Sequence, residues 1–319
     1  MSTPQHKIGS GFGYRSTADE VLKGIDLSGK LAVVTGGYSG LGLETTRALV
    51  RAGADVVVPA RRREVAEEAL SGVGSVGSVE VDELDLGDLE SVRSFSEGFL
   101  ASGRTIEVMI DNAGIMACPE TRVGPGWEAQ FATNHLGHFA LVNRLWPAIA
   151  EGGARVVSVS STGHRRSDIR WDDLQFEHGY DKWTAYGQAK TANVLFAVQL
   201  DALGKDSGVR AFALHPGGIM TPLQRHLPRE EMIAFGWIDE QTGEFNEAFK
   251  TPEQGAATQT WAATSSQLDG LGGVFLEDCD IAEVSTDDGP GVRPYAIDPE
   301  SAARLWTISA ELTGVNAFE

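Results

Sequence analysis

The chain has 319 residues, of which 42% are hydrophobic and 22% charged, a composition typical of a folded globular protein. Its 26 Lys and Arg against 45 Asp and Glu give a net charge of −19, which argues against nucleic acid as a partner. No apolar run reaches the roughly 18 residues of a membrane span, and the first residues lack a signal peptide's apolar core, so we predict a soluble, cytoplasmic protein without membrane association.

Short runs rich in Val and Ile alternate along the chain with segments of helical periodicity. Strands that are buried on both faces read as continuous apolar runs, so this alternation predicts parallel strands joined by helices. The predicted strands are Lys30–Thr35, Ala54–Ala60, Val79–Leu84, Ile106–Asp111, Ala154–Ser161, Val209–Leu214 and Gly273–Leu276. The predicted helices are Leu41–Arg51, Arg61–Leu70, Gly87–Leu100, Glu128–Ala150, Ala185–Leu203, Pro252–Ser266 and Asp298–Leu312.

No internal repeat or Pro/Ser-rich linker divides the chain. We therefore predict a single α/β domain over residues 26–319, built on a doubly wound, Rossmann-like parallel sheet. Residues 1–25 are predicted to form an N-terminal arm. Residues of about 222–250 carry no strand signal, and we interpret them as a substrate lid or insertion.

A glycine-rich turn follows the first predicted strand and precedes the first helix. Glycines allow a sharp turn and a close approach to a pyrophosphate, and the helix N-terminus offers N–H donors to the phosphates. The turn therefore predicts a dinucleotide site. The residues expected to form it are Gly36, Ser39, Gly40, Leu41 and Gly42.

The end of the second predicted strand distinguishes the two nicotinamide coenzymes. An acidic residue there would bind the ribose 2′-OH of NAD, whereas an arginine would pair with the 2′-phosphate of NADP. Here Val56–Ala60 ends without an acid, and Arg61, Arg62 and Arg63 follow. Because a guanidinium matches a phosphate well, Arg61 and Arg62 predict NADP, with NAD as the alternative.

Tyr186 and Lys190 stand four residues apart on a predicted helix and therefore share one face. An ammonium group beside a phenol favours the phenolate, so we expect Tyr186 to act as a general acid or base. Ser160 and Ser161 end a predicted strand at the carboxyl edge of the sheet, where ligands bind in such folds. A serine hydroxyl at that edge can hold a substrate oxygen beside the phenol.

These features and their order resemble the short-chain dehydrogenase/reductase family over at least residues 26–276. The matching motifs are Thr35–Gly42, Asp85-Leu86, Asn112-Ala113-Gly114, Asn134, Ser160-Ser161, Tyr186 with Lys190, and Pro216-Gly217 with Thr221. One departure is Asp111, where the family usually has Asn. A second is Ser39, at a position where many NADP-dependent members carry a base.

The resemblance implies roles for the residues that match. Asp85 and Leu86 would contact the adenine, and Asn112, Ala113 and Gly114 would lie beside the adenosine ribose. Pro216, Gly217 and Thr221 would lie along the nicotinamide. Lys190 would bind the coenzyme ribose and lower the pKa of Tyr186, and Asn134 would hold a water that links Lys190 to solvent. Ser161 is favoured over Ser160 as the serine that orients the substrate oxygen.

The substrate is predicted only as a class. A long segment separates Ser161 from Tyr186, and this gap resembles the branch of the family that contains retinol dehydrogenases and the WW-domain-containing oxidoreductase. That branch often acts on lipophilic alcohols, aldehydes or ketones. Aromatic residues of this segment and of the lid, such as Trp183 and Trp237, suit an apolar substrate, although closing the local core is an equal alternative.

The resulting prediction is an NADP-dependent oxidoreductase that transfers a hydride between nicotinamide and an alcohol or carbonyl group of a small molecule. The alternative is a coenzyme-binding sensor or scaffold protein without turnover. The histidines are scattered and the two cysteines are far apart, so we predict no metal and no disulfide. The helix at Ala185–Leu203 could pair subunits into a homodimer or homotetramer, or the C-terminal insertion could cover it and leave a monomer.

Overall fold

The computed structural model describes residues 3–74, 76–287 and 289–319. The strands of the described residues are β1 (Leu31–Val34), β2 (Asp55–Ala60), β3 (Val79–Glu83), β4 (Val108–Asp111), β5 (Arg122–Val123), β6 (Trp127–Glu128), β7 (Arg155–Val159), β8 (Arg210–His215), β9 (Val274–Glu277) and β10 (Asp280–Ile281). The α-helices are α1 (Ala18–Val21), α2 (Gly40–Arg51), α3 (Arg63–Leu70), α4 (Leu89–Ala101), α5 (Ala129–Phe131), α6 (Gly137–Arg144), α7 (Trp146–Gly152), α8 (Lys182–Gly204), α9 (Arg229–Ala234), α10 (Pro252–Thr264) and α11 (Pro299–Thr313). A π-helix covers Ala132–Leu136.

Eight strands form the main sheet in the order β10-β9-β8-β7-β4-β1-β2-β3, and β5 pairs with β6 in a separate hairpin. Neighbours in the main sheet are parallel except at one edge, where β10 runs antiparallel to β9. The strand order reverses between β1 and β4, and in such sheets a crevice for ligands opens there at the carboxyl ends of the strands. The predicted doubly wound, Rossmann-like fold is confirmed, with the addition of one short antiparallel edge strand that the sequence did not indicate.

Both faces of the sheet are covered by helices. Alternate residues of a strand point to opposite faces, so Val34 of β1 packs in the core beneath α2 and α10, whereas its neighbour Val33 packs in the core that contains Phe139 of α6. Val33 and Val34 are both fully buried. This two-sided burial is why the strands appear as continuous apolar runs in the sequence.

The single helix predicted over Glu128–Ala150 is wrong, because the structure divides that stretch. Glu128 lies in the hairpin strand β6, and its carboxylate caps α5 by accepting hydrogen bonds from the next backbone N–H groups. The π-helix that contains Asn134 then interrupts the regular helical repeat. A further break follows Arg144, after which Pro147 occupies the first turn of α7, where its missing N–H has no cost.

The N-terminal segment packs along the outside of the domain and includes one helical turn. The side-chain amide of Gln5 bonds to backbone groups of Phe275 and Ala282 at the β9–β10 edge. Helix α1 begins with a capping box in which Thr17 and Glu20 satisfy each other's backbone N–H groups, and it packs against α10 and α2.

Candidate active site

A cleft of about 610 Å³ opens at the carboxyl ends of the parallel strands. Residues from all the predicted motifs line it except two single residues, Gly42 and Asn134, which lie behind its wall. The lining residues among those predicted are Gly36, Ser39, Gly40, Leu41, Arg61, Arg62, Asp85, Leu86, Asn112, Ala113, Gly114, Ser161, Tyr186, Lys190, Pro216, Gly217 and Thr221. Motifs that are far apart in the sequence therefore meet in one place.

The glycine turn between β1 and α2 is closed to larger side chains. Gly36 and Gly40 have positive φ angles of 64° and 52°, a backbone conformation that favours glycine. A Cβ on Gly42 would lie 2.4 Å from the Gly36 carbonyl oxygen, and one on Gly36 would lie 3.1 Å from Ala113. Ser39 caps α2 without a side-chain hydrogen bond, so its hydroxyl does not cover the first-turn N–H groups. This bare, close-packed turn suits a pyrophosphate at the helix N-terminus.

Thr35, at the start of the turn, anchors the neighbouring Asn112–Gly114 segment. Its hydroxyl oxygen accepts hydrogen bonds from the backbone N–H groups of Asn112 and Ala113, at 2.9 and 3.0 Å. The same oxygen lies 2.9 Å from Nε2 of buried His138, whose Nδ1 lies 3.1 Å from the Asn134 carbonyl oxygen. Because a carbonyl can only accept, Nδ1 carries the proton and Thr35 donates to Nε2.

Arg61 and Arg62 follow β2, line the cleft at the end of that strand and are exposed. Their neighbour Arg63 is directed elsewhere and forms a salt bridge with Glu67, 2.8 Å away, within α3. Asp85 also lines this end, but its carboxylate accepts a hydrogen bond from the Gly87 N–H, 2.9 Å away. Two cations therefore border this part of the cleft, and its one lining carboxylate among the described residues already has a partner.

Tyr186 and Lys190 project from α8 into the middle of the cleft. The Lys190 Nζ lies 5.7 Å from the centre of the Tyr186 ring and donates a hydrogen bond to the Val159 carbonyl oxygen, 2.8 Å away. The Ser160 hydroxyl is buried and donates to the Lys190 carbonyl oxygen. The Ser161 hydroxyl accepts from the Gly163 N–H and also lies within hydrogen-bonding reach of Tyr186. Ser161 therefore faces the phenol, whereas Ser160 supports the helix.

Burial, rather than the neighbouring ammonium, dominates the ionisation of this pair. Burial raises the pKa of Tyr186 to about 12, and the hydrogen bond with Ser161 only partly opposes this rise. Burial also lowers the pKa of Lys190 to about 7. Both shifts favour uncharged groups, which differs from the lowered phenol pKa that the sequence led us to expect. The residues of the chain alone therefore hold Tyr186 as a phenol, the form that donates a proton.

Asn134 lies in the π-helix and clamps the backbone beside the cleft. Its amide donates to the Ile115 carbonyl oxygen and its Oδ1 accepts from the Ile115 N–H, both at 2.9 Å. A Cβ on Gly114 would lie 3.1 Å from Asn134 Oδ1 and 3.7 Å from Lys190 Nζ, so these three residues are in close contact. The π-helix is what brings the side chain of Asn134 to this backbone.

The Pro216–Thr221 loop closes the cleft above the glycine turn. Gly217 has a φ of 105°, and a Cβ there would lie 2.6 Å from the buried side chain of Lys250, whose Nζ pairs with Asp278 at 2.7 Å. Thr221 approaches Gly40, whose added Cβ would lie 3.2 Å away. Thr221 also caps the short 3₁₀-helix Pro222–His226 with a capping box.

Residues 222–250, predicted to be a lid and called the lid below, contribute aromatic rings to the lining of the other half of the cleft. Trp183 of α8 lies edge-on to Tyr186, with ring centres 6.3 Å apart, and contacts Phe235 and Trp237 of the lid. Glu231 of α9 accepts hydrogen bonds from Trp183 Nε1 at 2.6 Å and from Lys182 Nζ at 2.5 Å. This carboxylate joins the lid to the first turn of α8.

The N-terminal arm holds the far end of the lid. Arg15 donates hydrogen bonds to the carbonyl oxygens of Glu247 and Phe249, at 2.7 and 3.0 Å. The Tyr14 hydroxyl donates to the Ala248 carbonyl oxygen, and Tyr14 itself lines the cleft. Sequence patterns did not single out Tyr14, His138, Gly163, Arg225 or Glu231. The only local signal among them is the glycine at position 163, where a Cβ would lie 2.7 Å from the Tyr186 ring.

The fold and this cleft define a class: an α/β protein with a dinucleotide-type glycine turn, next to which a Tyr, a Lys and a Ser surround a space for a small molecule. The model of the short chain dehydrogenase family matches residues 30–232. Curated relatives point the same way, so the chain belongs to the short-chain dehydrogenase/reductase family and is an oxidoreductase. The predictions of the family and of an enzyme are confirmed.

Two relatives illustrate how similar known proteins of the family are to this chain in sequence. It is 46% identical to the "Probable oxidoreductase" of Streptomyces antibioticus over 88% of this chain and 97% of that protein. It is 37% identical to retinol dehydrogenase 12 of Bos taurus over 91% of this chain and 88% of that protein, which confirms the resemblance to retinol dehydrogenases.

Two solved structures agree with the fold. A protein of Mycobacterium paratuberculosis is 34% identical, with a TM-score of 0.73 over 96% of this chain and 99% of that one. A protein of Beutenbergia cavernae is 28% identical, with a TM-score of 0.61 over 79% of this chain and 96% of that one, and its crystal structure contains bound NADP at low occupancy.

Two features of other protein classes are absent from the described residues. None of the helices there is both long enough and apolar enough to cross a membrane. In the same residues, no group of three or more His, Cys, Asp or Glu side chains is arranged to hold a metal ion.

Proposed function

We propose that this oxidoreductase uses NADP and acts on an alcohol or carbonyl group of a lipophilic small molecule, with the bound nicotinamide accepting or supplying the hydride. The observation that carries the proposal is that Tyr186, Lys190 and Ser161 line the same cleft as the glycine turn and the two arginines after β2. One cleft thus offers a phosphate cradle, a proton donor and a hydroxyl that can hold an oxygen.

The glycine turn fits a dinucleotide because side chains are excluded where a pyrophosphate would lie. In this proposal Gly36, Gly40 and the first turn of α2 hold the pyrophosphate, and Gly42 keeps the helix close behind them. Asp85 and Leu86 border the adenine, and Asn112–Gly114 border its ribose. Pro216, Gly217 and Thr221 border the nicotinamide.

Four side chains would carry the proton chemistry. Tyr186 donates a proton to a carbonyl oxygen, or accepts one from an alcohol, while the Ser161 hydroxyl holds that oxygen in place. Lys190 binds the coenzyme ribose and favours the phenolate of Tyr186, against the opposing effect of burial. Asn134 lies beside Lys190 and holds the water that connects it to solvent. The proximity of Ser161 to the phenol supports its assignment over Ser160.

NADP is proposed over NAD because of the charges at the adenosine end. Arg61 and Arg62 are exposed, line the cleft and form no salt bridge within the described residues. Asp85 is the one carboxylate among the described residues that lines the cleft, and one of its oxygens already accepts a hydrogen bond from the Gly87 N–H. A 2′-phosphate would meet two guanidinium groups there, each capable of charge-assisted hydrogen bonds.

The test is a fluorescence titration of the protein with NADPH and with NADH in the same buffer and salt. Arg61→Ala combined with Arg62→Ala should weaken NADPH by about tenfold or more and leave NADH nearly unchanged. Arg63→Ala is the matched control, because Arg63 pairs with Glu67 and does not line the cleft. Equal losses for both coenzymes would contradict the proposal for NADP, and binding of neither would contradict the oxidoreductase site.

A lipophilic substrate is proposed from the walls of the lid half. Leu223, Phe235, Trp237 and Phe249 line the cleft there, and Met116 lines it from the opposite side. Residues 222–250 are therefore proposed to act as the substrate lid of a single domain that covers residues 26–319. Rings and aliphatic chains in such a space stabilise an apolar ligand by removing its surface from water.

For the assembly we propose a monomer. Helix α11 covers α8 within the chain, because Trp306 stacks on Phe196 at 5.8 Å and contacts Phe139 at 4.8 Å. His135 and Ser309 add a buried hydrogen bond of 2.7 Å between the same layers. The helix that the sequence offered for pairing subunits is therefore occupied. Light scattering on a sizing column should give the mass of one chain, and a dimer or tetramer mass would contradict this.

A further inference from the structure

In the part of the chain that the structure describes, one arginine lines the lid half of the cleft and forms no salt bridge. Arg225 lies on the 3₁₀-helix Pro222–His226 and lines the cleft. Its Nη1 donates a hydrogen bond to the Pro222 carbonyl oxygen, 3.1 Å away, which holds one edge of the guanidinium group close to the backbone of its own 3₁₀-helix. No carboxylate of the described residues lines this half of the cleft.

Most, but not all, of the arginines outside the cleft differ from Arg225 in having an anionic partner. Ten of them form salt bridges within the described residues, as expected for a chain with 45 acids and a net charge of −19, and none of the ten lines the cleft. The three arginines that do line it, Arg61, Arg62 and Arg225, have no salt bridge in the described residues. The cleft is therefore a cationic region of an acidic protein, and such a region concentrates anions.

Arg225 lies on the substrate side of the cleft. Leu227, two residues later, is buried against Met116 and Tyr186. The charge of Arg225 also acts on the Cys118 thiol, where it partly offsets the rise in pKa that burial causes. Cys118 is close to Met116 in the chain and its carbonyl oxygen accepts from Tyr180, away from the glycine turn. The packing of Leu227 therefore places this part of the lid segment on the side of the cleft that Met116 lines.

We infer that the substrate carries an anionic group, a carboxylate in the first instance, that pairs with Arg225 while its apolar body lies against the lid. This inference rests on the proposed function. The substrate class is then an amphipathic oxo acid or hydroxy acid in which an apolar segment separates the acid from the reacting carbon. A guanidinium recognises a carboxylate through two parallel hydrogen bonds, so its loss should be measurable in a partly exposed cleft.

The experiment compares ω-oxo carboxylic acids of six to twelve carbons with their methyl esters, using NADPH and steady-state kinetics. A series of lengths is needed so that one member spans from Tyr186 to Arg225. At that length the acid should be preferred over its ester by about tenfold or more in kcat/KM. Arg225→Gln should remove most of this preference, and Arg225→Lys should retain part of it. No preference in the native protein, or one that Arg225→Gln leaves intact, overturns the inference.

Two controls test whether the preference for the acid depends on Arg225 in particular and on the substrate rather than the coenzyme. Arg229→Gln changes another arginine of the lid, at the start of α9, which does not line the cleft, and should keep the native preference. A titration of the Arg225→Gln protein with NADPH tests whether the anion that Arg225 binds is a phosphate of the coenzyme instead of the substrate carboxylate. If Arg225→Gln weakens NADPH as much as it weakens the acid, Arg225 binds the coenzyme and the inference is wrong.

A direct measurement of acid binding distinguishes a failure of the inferred anion site from a failure of the proposed reaction. Calorimetry measures the affinity of the same acids for the protein saturated with NADP⁺, whether or not they are turned over. If no aldehyde of either series is reduced, the proposed reaction fails for this class. A loss of acid binding of about tenfold in Arg225→Gln would still support the anion site, and unchanged binding would overturn it.

Discussion

The glycine turn and the lid face each other across one cleft, but different contacts hold them in place. The turn is enclosed by backbone: a Cβ on Gly42 would meet the Gly36 carbonyl oxygen, and the Thr35 hydroxyl receives two backbone N–H groups. The lid depends on a few side chains, chiefly Glu231 at one end and Arg15 at the other.

The difference shows how one cleft can combine a rigid half with an adaptable half. A backbone cradle tolerates almost no change of sequence, since any side chain added there collides with the main chain. Exposed and half-exposed hydrogen bonds made by single side chains contribute little individually, so we expect the lid to tolerate substitutions at Glu231 or Arg15 at modest cost. We therefore expect mutations in the coenzyme half to abolish binding and mutations in the lid half to alter the kinetics of the substrate.

The largest effect is expected where the two halves meet, at Tyr186. Tyr186→Phe removes the phenol hydroxyl but keeps the ring that packs against Trp183, so kcat should fall by about 10² to 10⁴-fold. Coenzyme affinity, measured by NADPH titration, should be retained. Retained turnover would contradict the proposed role of Tyr186 as the acid or base, and lost NADPH binding would show that the change damaged the cleft itself.

The rigid half is tested by Gly42→Ala. The new methyl group would lie 2.4 Å from the Gly36 carbonyl oxygen and 2.6 Å from Asn112 Nδ2, and neither of these tightly held groups can move freely. We expect a loss of about 1 to 3 kcal/mol in the free energy of unfolding, together with much weaker NADPH binding. Chemical denaturation and coenzyme titration measure the two effects.

The matched control is Gly98→Ala in α4. A Cβ there meets nothing within 4 Å, and alanine favours a helix over glycine by about 0.5 to 1 kcal/mol, so this variant should be as stable as the native protein or more stable. If Gly42→Ala behaves like Gly98→Ala, the turn is not the close-packed cradle described above.

The hydrogen bonds of His138, which connect Thr35 to Asn134 behind the glycine turn, should make the stability of the protein depend on pH. Burial lowers the pKa of His138 to about 4 from its usual 6.5, so the neutral ring that joins Thr35 to Asn134 is favoured in the folded protein. As the pH falls, the histidine of the unfolded chain binds a proton before buried His138 of the folded protein does. The contribution of neutral His138 to the free energy of unfolding is therefore complete above pH 6.5 and is lost as the pH falls from 6.5 through 4. The loss should be on the order of 1 kcal/mol per pH unit in this window.

His138→Gln removes this titration, so the difference in unfolding free energy between the native protein and the variant should shrink as the pH falls from 6.5 to 4. Urea denaturation at several pH values measures it. His178→Gln alters an exposed histidine and should leave the pH dependence of the native protein unchanged. A constant difference between native protein and His138→Gln across this range would mean that His138 is not held neutral by the fold.

The smallest effect is expected in the lid. Glu231→Gln weakens the bonds to Lys182 and Trp183 but leaves an acceptor oxygen, so we expect a rise of only a few fold in KM with little change in kcat and in NADPH affinity. Glu230→Gln, on the exposed side of the same helix, is the control for charge. A fall in kcat as large as that of Tyr186→Phe would show that the lid is as rigid as the coenzyme half.

Local sequence patterns were sufficient for the parts of the molecule that local forces build. The Val-rich runs predicted the strands, because burial on two faces leaves no place for polar residues. Helix α11 was predicted within one residue at either end, since Asp298 and Pro299 are strong start signals and the Asp298 carboxylate does cap the helix. The glycine turn was visible from its spacing alone.

Patterns failed where distant segments decide the local structure. The stretch from Glu128 to Ala150 looks helical throughout, yet it contains a π-helix around Asn134, whose side chain bonds to the backbone of Ile115, a contact that no helical period encodes. The ionisation of Tyr186 and Lys190 in the chain alone also depends on the fold: spacing places an ammonium near a phenol, but the burial that raises the pKa of Tyr186 and lowers the pKa of Lys190 belongs to the folded state.

The sequence by itself determined the family and the doubly wound sheet, and it predicted most of the residues that line the cleft around the glycine turn, because these follow from periodicity, glycine placement and motif order. Only the tertiary structure decided which side chains the lid brings to the cleft, that Arg225 lines it with no salt bridge to any of the described residues, and that α11 covers α8. The physical reason is that these features depend on contacts between residues far apart in the chain, and such contacts leave no period or spacing in the sequence.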